Sequence, residues 1–272
     1  MHVQPLKGSF GADISGVDLK DPSTHKTVVD MFHLHGAIVV RGQELEPEHQ
    51  LAFTRAFGTP ELNQGSVFTY PGHDEILVIS NRVVDGKVLG NLDAGIGWHT
   101  DSSYLEEPVM CTMLYAMEVP AEGSDTLLAD LCAAYNDLPE ERRKELDPLV
   151  IHHSFRALRE MQGADPATIK PLPDVMHPMI RTHPADGRKA LWVSTGTVRG
   201  IVGMENPKGM NLIEELVAHA TQDKYVYSHK WKVGDVLVWD NRCTLHTGTN
   251  FDRQKYIRHV HRTWVKGDRP FN

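Results

Sequence analysis

The sequence predicts a mainly β fold with a few peripheral helices. Short apolar runs bounded by glycine, proline or polar turn residues recur along the 272-residue chain, whereas few segments have helical periodicity. Most of these runs lie in the final third, which ends in a long alternating segment. Many short strands with a few surface helices are typical of a β-barrel or a β-sandwich, and the pattern alone leaves both open.

The strands are predicted from short length, β-branched or aromatic side chains and flanking turn signals. The clearest case is residues 37–40, an apolar run between Gly36 and Gly42. The same criteria predict strands at residues 37–40, 110–119, 225–231, 236–239 and 256–265.

Two helices are predicted from their start and stop signals. Residues 46–57 have a proline in the first turn and are followed by Gly58. Asp137 and Glu140 have the spacing of a capping box, and a charged stretch continues from them to Leu146. We therefore expect one helix in each segment.

A third helix is predicted after Asn206 and Pro207. Asparagine is a favoured N-cap, and proline is favoured at the first helical position. The apolar residues that follow at helical spacing, and that should form the buried face, are Ile213, Leu216, Val217 and Ala220.

Charge and composition exclude several classes of partner. The formal net charge is −8 and the pI is about 6.0, without a run of lysine and arginine, so we expect no nucleic-acid binding. No apolar run approaches the ~20 residues that span a bilayer, so we expect no membrane. Without a repeat or linker, residues 1–272 are predicted to form one domain.

The cysteines give no sign of a disulfide framework. Three cysteines, Cys111, Cys132 and Cys243, are widely separated in the sequence. Such a sparse, odd set is typical of reduced, buried thiols. With no apolar signal segment near the N-terminus, we expect a cytoplasmic protein.

His99 and Asp101 are the first candidate metal ligands. If residues 97–101 are extended, these two side chains point to the same side and Thr100 points away. A distant second histidine would complete a 2-His-1-carboxylate set, which leaves open positions on Fe(II). His246 follows an apolar strand and a polar turn, and is the candidate for that role. Alone, each feature also fits a surface pair or a packed histidine.

Arg258 and Arg262 indicate that this site also binds an anion. On the alternating strand they share a face and lie about 13 Å apart. An inward-facing arginine destabilises a barrel unless an anion satisfies it, and a guanidinium binds a carboxylate with two hydrogen bonds. A small dicarboxylate is therefore the natural ligand, unless both arginines lie on an exposed edge strand.

Together these motifs resemble the taurine dioxygenase/2,4-D dioxygenase (TauD/TfdA-like) family of Fe(II)/2-oxoglutarate-dependent oxygenases. The resemblance covers nearly the whole chain, and its blocks occur in the family's order. They are residues 11–19, 97–101, 123–126, 177–184, 187–189, 239–242 and 258–262, together with His246. Arg258 follows His246 by 12 residues where we expect 11, which implies one extra residue in the intervening loop.

The resemblance implies a double-stranded β-helix, or jelly-roll, core and assigns roles to particular residues. His99, Asp101 and His246 would bind iron, with 2-oxoglutarate and O2 as co-substrates. Thr126 and Arg258 would bind the far carboxylate of 2-oxoglutarate. Arg262 would lie nearer the metal and meet the anionic end of the substrate, the near carboxylate of 2-oxoglutarate, or both.

The substrate is implied less sharply. A small anionic organic compound is expected to be hydroxylated, and thereby cleaved if the attacked carbon carries an ether oxygen or a sulfonate. An aryloxyalkanoate-type carboxylate is favoured over a sulfonate, because residues 220–246 resemble the 2,4-D dioxygenase branch. Ser102, Tyr70 and His73 are further candidates for substrate contact, and a homo-oligomer, dimer or tetramer, is expected.

Two other classes of protein remain open on the residues themselves. A zinc hydrolase would also use three N/O ligands and a water, although it would leave the arginine pair without a role. A non-catalytic jelly-roll binding protein would not need an intact set of metal ligands.

Overall fold

A computed structural model describes residues 1–8, 10–63, 66–91 and 97–272. The strands are β1 (His2–Lys7), β2 (Phe10–Ser15), β3 (Ala37–Val40), β4 (Thr69–Tyr70), β5 (His73–Ser80), β6 (Val83–Val84), β7 (Lys87–Val88), β8 (Cys111–Glu118), β9 (Thr126–Asp130), β10 (Val150–His153), β11 (Val175–Pro178), β12 (Ile180–Thr182), β13 (Lys189–Leu191), β14 (Val198–Ile201), β15 (Val226–His229), β16 (Val236–Asp240), β17 (Thr244–Gly248) and β18 (His259–Val265). The helices are α1 (His25–His35), α2 (Pro47–Phe57), α3 (Leu131–Asn136), α4 (Glu140–Leu146), α5 (Phe155–Met161) and α6 (Lys208–Ala220), with short 3-10 turns at Pro22–Thr24 and Pro166–Thr168.

Two facing sheets form the core. The larger has the strand order β1-β2-β3-β16-β8-β18-β5-β4, and the smaller has the order β15-β9-β17. Apolar side chains of both sheets meet between them, for example Leu114 of β8 and Leu128 of β9. The fold is therefore mainly β with helices outside, as the sequence predicts, and its facing sheets form the jelly-roll core.

The predicted strands are found close to their expected limits. The run at 37–40 is β3, and all four of its residues are buried. It pairs with β16, which corresponds to the predicted strand at 236–239. The final strand is shorter than predicted, because β18 begins at His259 and its pairing with β8 shifts register between His259 and Val260. Arg258 therefore lies just before the strand instead of within it.

Both predicted side-chain caps are wrong, although the helices that they precede exist. Asp137 ends α3, and its carboxylate accepts hydrogen bonds from Lys224 Nζ and the Tyr225 hydroxyl, each at 2.8 Å. Asn206 reaches back to donate to the Arg199 carbonyl at 2.9 Å, and Pro207 is the N-cap of α6. Each side chain is thus committed to a partner outside its helix.

The predicted buried surfaces are confirmed. The four apolar residues of α6, Ile213, Leu216, Val217 and Ala220, are all buried in one cluster. The three cysteines are also buried and unpaired, as predicted. Within the part of the chain that the structure describes, no helix is long and apolar enough to cross a membrane.

Candidate metal centre and its two cavities

His99, Asp101 and His246 lie together, with their ligand atoms all within 4.8 Å of one another. The Asp101 carboxylate faces both imidazoles: His99 Nε2 is 3.6 Å from Oδ1, and His246 Nε2 is 3.7 Å from Oδ2. The structure therefore brings the three predicted ligands to one point, although they come from segments about 150 residues apart.

Backbone pairing sets this arrangement. The His99 N–H donates to the His246 carbonyl at 3.0 Å, and the His246 N–H donates to the His99 carbonyl at 2.8 Å. The Thr100 hydroxyl points away and donates to the Asn241 carbonyl at 2.8 Å. The side chains of residues 99–101 thus alternate in direction as predicted, and the backbone hydrogen bonds to His246 of β17 hold this segment in place.

Both imidazoles turn Nε2 toward the Asp101 carboxylate. His99 Nδ1 lies 2.8 Å from the Gly97 carbonyl, so Nδ1 carries the proton and donates it there. Burial lowers the pKa of His246 to about 3, and the neighbouring His99 adds to the effect. The His246 ring is therefore neutral, which is the form that binds metals.

The Asp101 carboxylate is fixed through one of its oxygens. The Thr112 hydroxyl donates to Oδ2 at 2.5 Å, and Trp264 Nε1 donates to the same oxygen at 3.1 Å. The Asn241 amide in turn donates to Thr112 Oγ1 at 2.9 Å, which directs the Thr112 proton toward Asp101. Oδ1 accepts none of these bonds and faces His99 Nε2.

Asp101 is ionised. Burial would raise its pKa, but His246, His99 and Arg262 outweigh burial and hold the pKa well below its usual range. The carboxylate and the two ring nitrogens thus face one point. This donor set fits a divalent cation, and two histidines with one carboxylate are the ligands of non-haem Fe(II) oxygenases.

A second group of metal-ligand side chains does not form an open site. His183, Asp240 and Cys243 are close together and buried. The Asp240 carboxylate, however, already accepts from Arg242 Nη2 at 2.6 Å and lies 3.0 Å from His183 Nε2. Its lone pairs are used within the protein, and the arrangement stabilises the turn before β17.

A narrow cavity of about 90 Å³ opens beside the first centre. It is lined by the three candidate ligands together with Thr126, Arg258 and Arg262. Burial alone lowers the pKa of Arg258 to about 10, and among the described residues no carboxylate or carbonyl accepts from its guanidinium. A cation left in this state needs an anion from outside the chain.

Thr126 has a hydroxyl proton to offer in the same cavity. Trp231 Nε1 donates to Thr126 Oγ1 at 3.1 Å. Because the indole N–H is only a donor, Thr126 acts as the acceptor and keeps its own proton free. Arg258 and Thr126 together therefore present donors to an anionic ligand at one side of the narrow cavity, and the metal ligands line the same space.

Arg262 borders both this cavity and a second, wider one. Its guanidinium lies 3.7 Å from the centroid of the Trp264 ring, and its buried Nε has no hydrogen-bond partner among the described residues. Stacking on Trp264 holds the guanidinium in a fixed plane. The same indole donates to Asp101, so one side chain braces both the arginine and the metal ligand.

The wider cavity has a volume of about 810 Å³. The candidate substrate residue Ser102 lines it, as do aromatic and aliphatic side chains that include Trp98, Tyr104, Phe155 and Leu158. His99 and Asp101 line it as well, so a molecule in this cavity reaches the metal centre.

The structure does not bring Tyr70 and His73 to either cavity. Tyr70 packs against His73 and against His261, with ring centroids 5.9 Å and 5.2 Å apart. His261 precedes Arg262 on β18 and therefore points to the opposite face of the sheet. The resemblance to the family predicts that Tyr70 and His73 line the substrate cavity. In the structure, their rings lie on the side of the sheet that His261 faces, and they line neither cavity.

Sequence reasoning missed the residues that support the candidate ligands, namely Thr112, Trp231 and Trp264. Trp264 shares a strand face with Arg262, and this signal was present in the sequence. Thr112 and Trp231 carry no such signal, because their partners lie on other strands.

The chain matches the family model described as taurine catabolism dioxygenase TauD, TfdA family, over residues 2–264. The chain belongs to this family. It is similar to an α-ketoglutarate-dependent 2,4-dichlorophenoxyacetate dioxygenase of Burkholderia sp. (strain RASC), with 39% identity over 85% of this chain and 82% of that protein. An α-ketoglutarate-dependent sulfate ester dioxygenase of Pseudomonas putida is 30% identical, covering 99% of this chain and 91% of its own length.

A solved structure gives the same result. AAD-2, in complex with Mn(II) and N-oxalylglycine, is 31% identical with a TM-score of 0.87, covering 99% of this chain and 98% of that one. The protein is therefore a 2-oxoglutarate-dependent dioxygenase, whose family uses Fe(II), 2-oxoglutarate and O2. The zinc hydrolase and the non-catalytic binding protein that the residues alone left open are not supported.

Proposed function

We propose that His99, Asp101 and His246 bind the Fe(II), and that Thr126 and Arg258 bind the distal carboxylate of 2-oxoglutarate. The observation that carries this proposal is the partly buried Arg258 guanidinium. It lacks an anionic partner among the described residues and lines the cavity that also contains the metal ligands. A dicarboxylate supplies one carboxylate to this arginine and has a second for the metal.

Arg262 is proposed to bind the anionic end of the substrate, the near carboxylate of 2-oxoglutarate, or both. Its guanidinium borders both cavities, and its charge lies close enough to act on the Asp101 carboxylate. A cation in this position neutralises an anionic substrate where it approaches the anionic co-substrate.

When bound, the iron and 2-oxoglutarate activate O2 for hydroxylation of a C–H bond, and 2-oxoglutarate is converted to succinate and CO2. The residues of the chain orient the reactants. Thr112 and Trp264 fix the Asp101 carboxylate, and the aromatic walls of the wider cavity hold the substrate and exclude water.

The proposed substrate is a small anionic organic compound, with an aryloxyalkanoate-type carboxylate favoured over a sulfonate. The similarity to the 2,4-dichlorophenoxyacetate dioxygenase and the aromatic lining by Trp98, Tyr104 and Phe155 support this choice. Hydroxylation at a carbon that carries an ether oxygen would give a hemiacetal, which collapses and cleaves the substrate. A homo-oligomer and a cytoplasmic location stay predictions.

Succinate release measured with matched substrates tests the proposal. Phenoxyacetate and phenoxymethanesulfonate share a body and differ in the anion, so their ratio of kcat/KM measures the preference. We expect release that requires Fe(II) and 2-oxoglutarate and that phenoxyacetate stimulates more strongly. Release that does not depend on Fe(II) would refute the metal assignment, and a higher kcat/KM for the sulfonate would refute the carboxylate preference.

A further inference from the structure

The wider cavity is large for the substrate of a phenoxyacetate dioxygenase. Pockets for drug-sized ligands run from about 300 to 1,000 Å³, and this one has about 810 Å³. At ~30 Å³ per molecule it would hold about 27 waters, so a single-ring acid would leave most of the space to solvent. Unfilled apolar walls contribute nothing to binding, which favours a larger ligand.

The helix α5 provides an apolar wall of the wider cavity. Phe155, Leu158 and Met161 all line the cavity, and none of the residues of α5 is fully buried. Met161 remains 58% exposed, and the Phe155 ring packs against Tyr104 at 5.0 Å between centroids. A ligand with an apolar body would cover these side chains.

Two cations lie in different parts of this cavity. Arg262 is beside the metal ligands and largely buried, whereas Arg159 is exposed on α5 and so lies toward the solvent. Burial raises the pKa of Tyr104, and both guanidinium groups oppose the rise, so the phenol is within electrostatic reach of both.

Arg159 is not committed to an ion pair, unlike its neighbours. Arg156 and Arg199 both pair with Glu160, at 2.8 Å and 3.4 Å. Arg159 donates only to the neutral Gln162 side chain at 2.7 Å, and no described carboxylate pairs with it. In a chain of net charge −8, an arginine without an acidic partner at a cavity mouth marks a position for an anion.

We propose that the substrate is an extended acid with a body of about two rings and an anionic group at each end. One anion lies near Arg262 beside the metal centre, and the other is bound by Arg159 at the mouth of the cavity. The apolar side chains of α5 cover the body between them. This inference rests on the proposed function and adds the size and the second charge of the substrate.

Three probes separate size from charge. The first is a para-linked two-ring aryloxyacetate with a terminal carboxylate, the second is the same compound with a primary amide in place of that carboxylate, and the third is phenoxyacetate. We expect both two-ring acids to have a lower KM than phenoxyacetate. We also expect the terminal carboxylate to lower KM about fivefold relative to the amide, since an exposed ion pair contributes up to about 1 kcal/mol.

Arg159→Gln should abolish the fivefold difference between carboxylate and amide. Arg156→Gln is the matched control, because Arg156 lies on the same helix, is exposed and does not line the cavity. An unchanged carboxylate-to-amide ratio in Arg159→Gln would overturn the role of Arg159. A KM for phenoxyacetate as low as that of the two-ring acids would overturn the inference on size.

Binding of N-oxalylglycine to the Mn(II)-loaded protein distinguishes failure of this inference from failure of the proposed function. If N-oxalylglycine binds and none of the three acids stimulates succinate release, the extended substrate is rejected while the co-substrate site stands. If N-oxalylglycine does not bind, the proposed function itself is refuted, and the inference with it.

Discussion

Replacing Trp231 with phenylalanine should weaken binding of 2-oxoglutarate, although Trp231 does not itself line the narrow cavity. Its indole N–H donates to Thr126 Oγ1 at 3.1 Å and leaves the Thr126 proton free for an anion. Without this donor, the Thr126 oxygen loses its buried partner, and the hydroxyl is no longer held toward the cavity. The change thus acts on the co-substrate only through Thr126.

The expected size of the effect follows from the kind of hydrogen bond that is lost. A neutral intramolecular hydrogen bond contributes about 1 kcal/mol, so Trp231→Phe should raise the Kd for 2-oxoglutarate about fivefold. Thr126→Val removes a hydrogen bond to a charged group, which contributes about 1.5–3 kcal/mol, or roughly 10- to 150-fold in Kd. The two effects differ enough to be separated.

A double-mutant cycle is the appropriate assay. Calorimetric Kd values for N-oxalylglycine would be measured on the Mn(II)-loaded wild type, on both single variants and on the double variant. Tyr227→Phe is the control, because its hydroxyl contacts His229 Nδ1 at 3.2 Å, one layer further from Thr126. Thermal melting of each protein would show how much of any change is loss of packing.

The double variant shows whether Trp231 acts only through Thr126. Trp231→Phe should have no effect on Kd in the Thr126→Val background, because the residue through which it acts is already lost. If instead the two effects add, Trp231 acts through packing and the argument from the hydroxyl proton is refuted. An unchanged Kd in the Trp231→Phe single variant would refute it as well.

Three further changes test the rest of the site. Arg258→Met should weaken N-oxalylglycine binding at least about 10-fold, measured by calorimetry, and raise the Tm of the ligand-free protein. Burial lowers the pKa of Arg258 to about 10, so above this pH the unfolded chain binds more protons than the folded protein. The free energy of unfolding of the ligand-free protein therefore rises above this pH, and the full cost of the buried charge is present at neutral pH. Thr112→Val should weaken Mn(II) binding about 10-fold while Thr112→Ser retains it, as measured by titration. Asp101→Ala should abolish Mn(II) binding and Fe(II)-dependent succinate release; retention of either would contradict the ligand assignment.

The parts of the site that depend on local alternation could be predicted from the sequence. His99 and Asp101 are two residues apart on an extended segment, so the pleat alone places their side chains together. Arg258 and Arg262 are four residues apart and line one cavity, although the bulge in β18 was not expected. Family resemblance then joined these local pairs to His246.

The parts that depend on pairing between distant segments could not be predicted. Trp231 and Thr126 are 105 residues apart, and their contact follows from the register of β15 on β9. Asp137 and Asn206 failed as caps for a related reason. A short polar side chain can cap a helix or bond elsewhere, and only the tertiary neighbours decide which.

The charges of the two cavities connect stability with function. Arg258 and Arg262 lie in a protein with an excess of acidic residues, yet neither guanidinium forms an ion pair with a carboxylate in the described part of the chain. Pairing each arginine with a carboxylate of the protein would relieve the cost of burial, but it would also occupy the position of the ligand. The folded state therefore retains an electrostatic penalty that binding of an anion removes. The same reasoning explains why strand patterns predicted the scaffold more completely than the site: the scaffold satisfies its own polar groups, whereas the site leaves some of them for a ligand that the sequence does not contain.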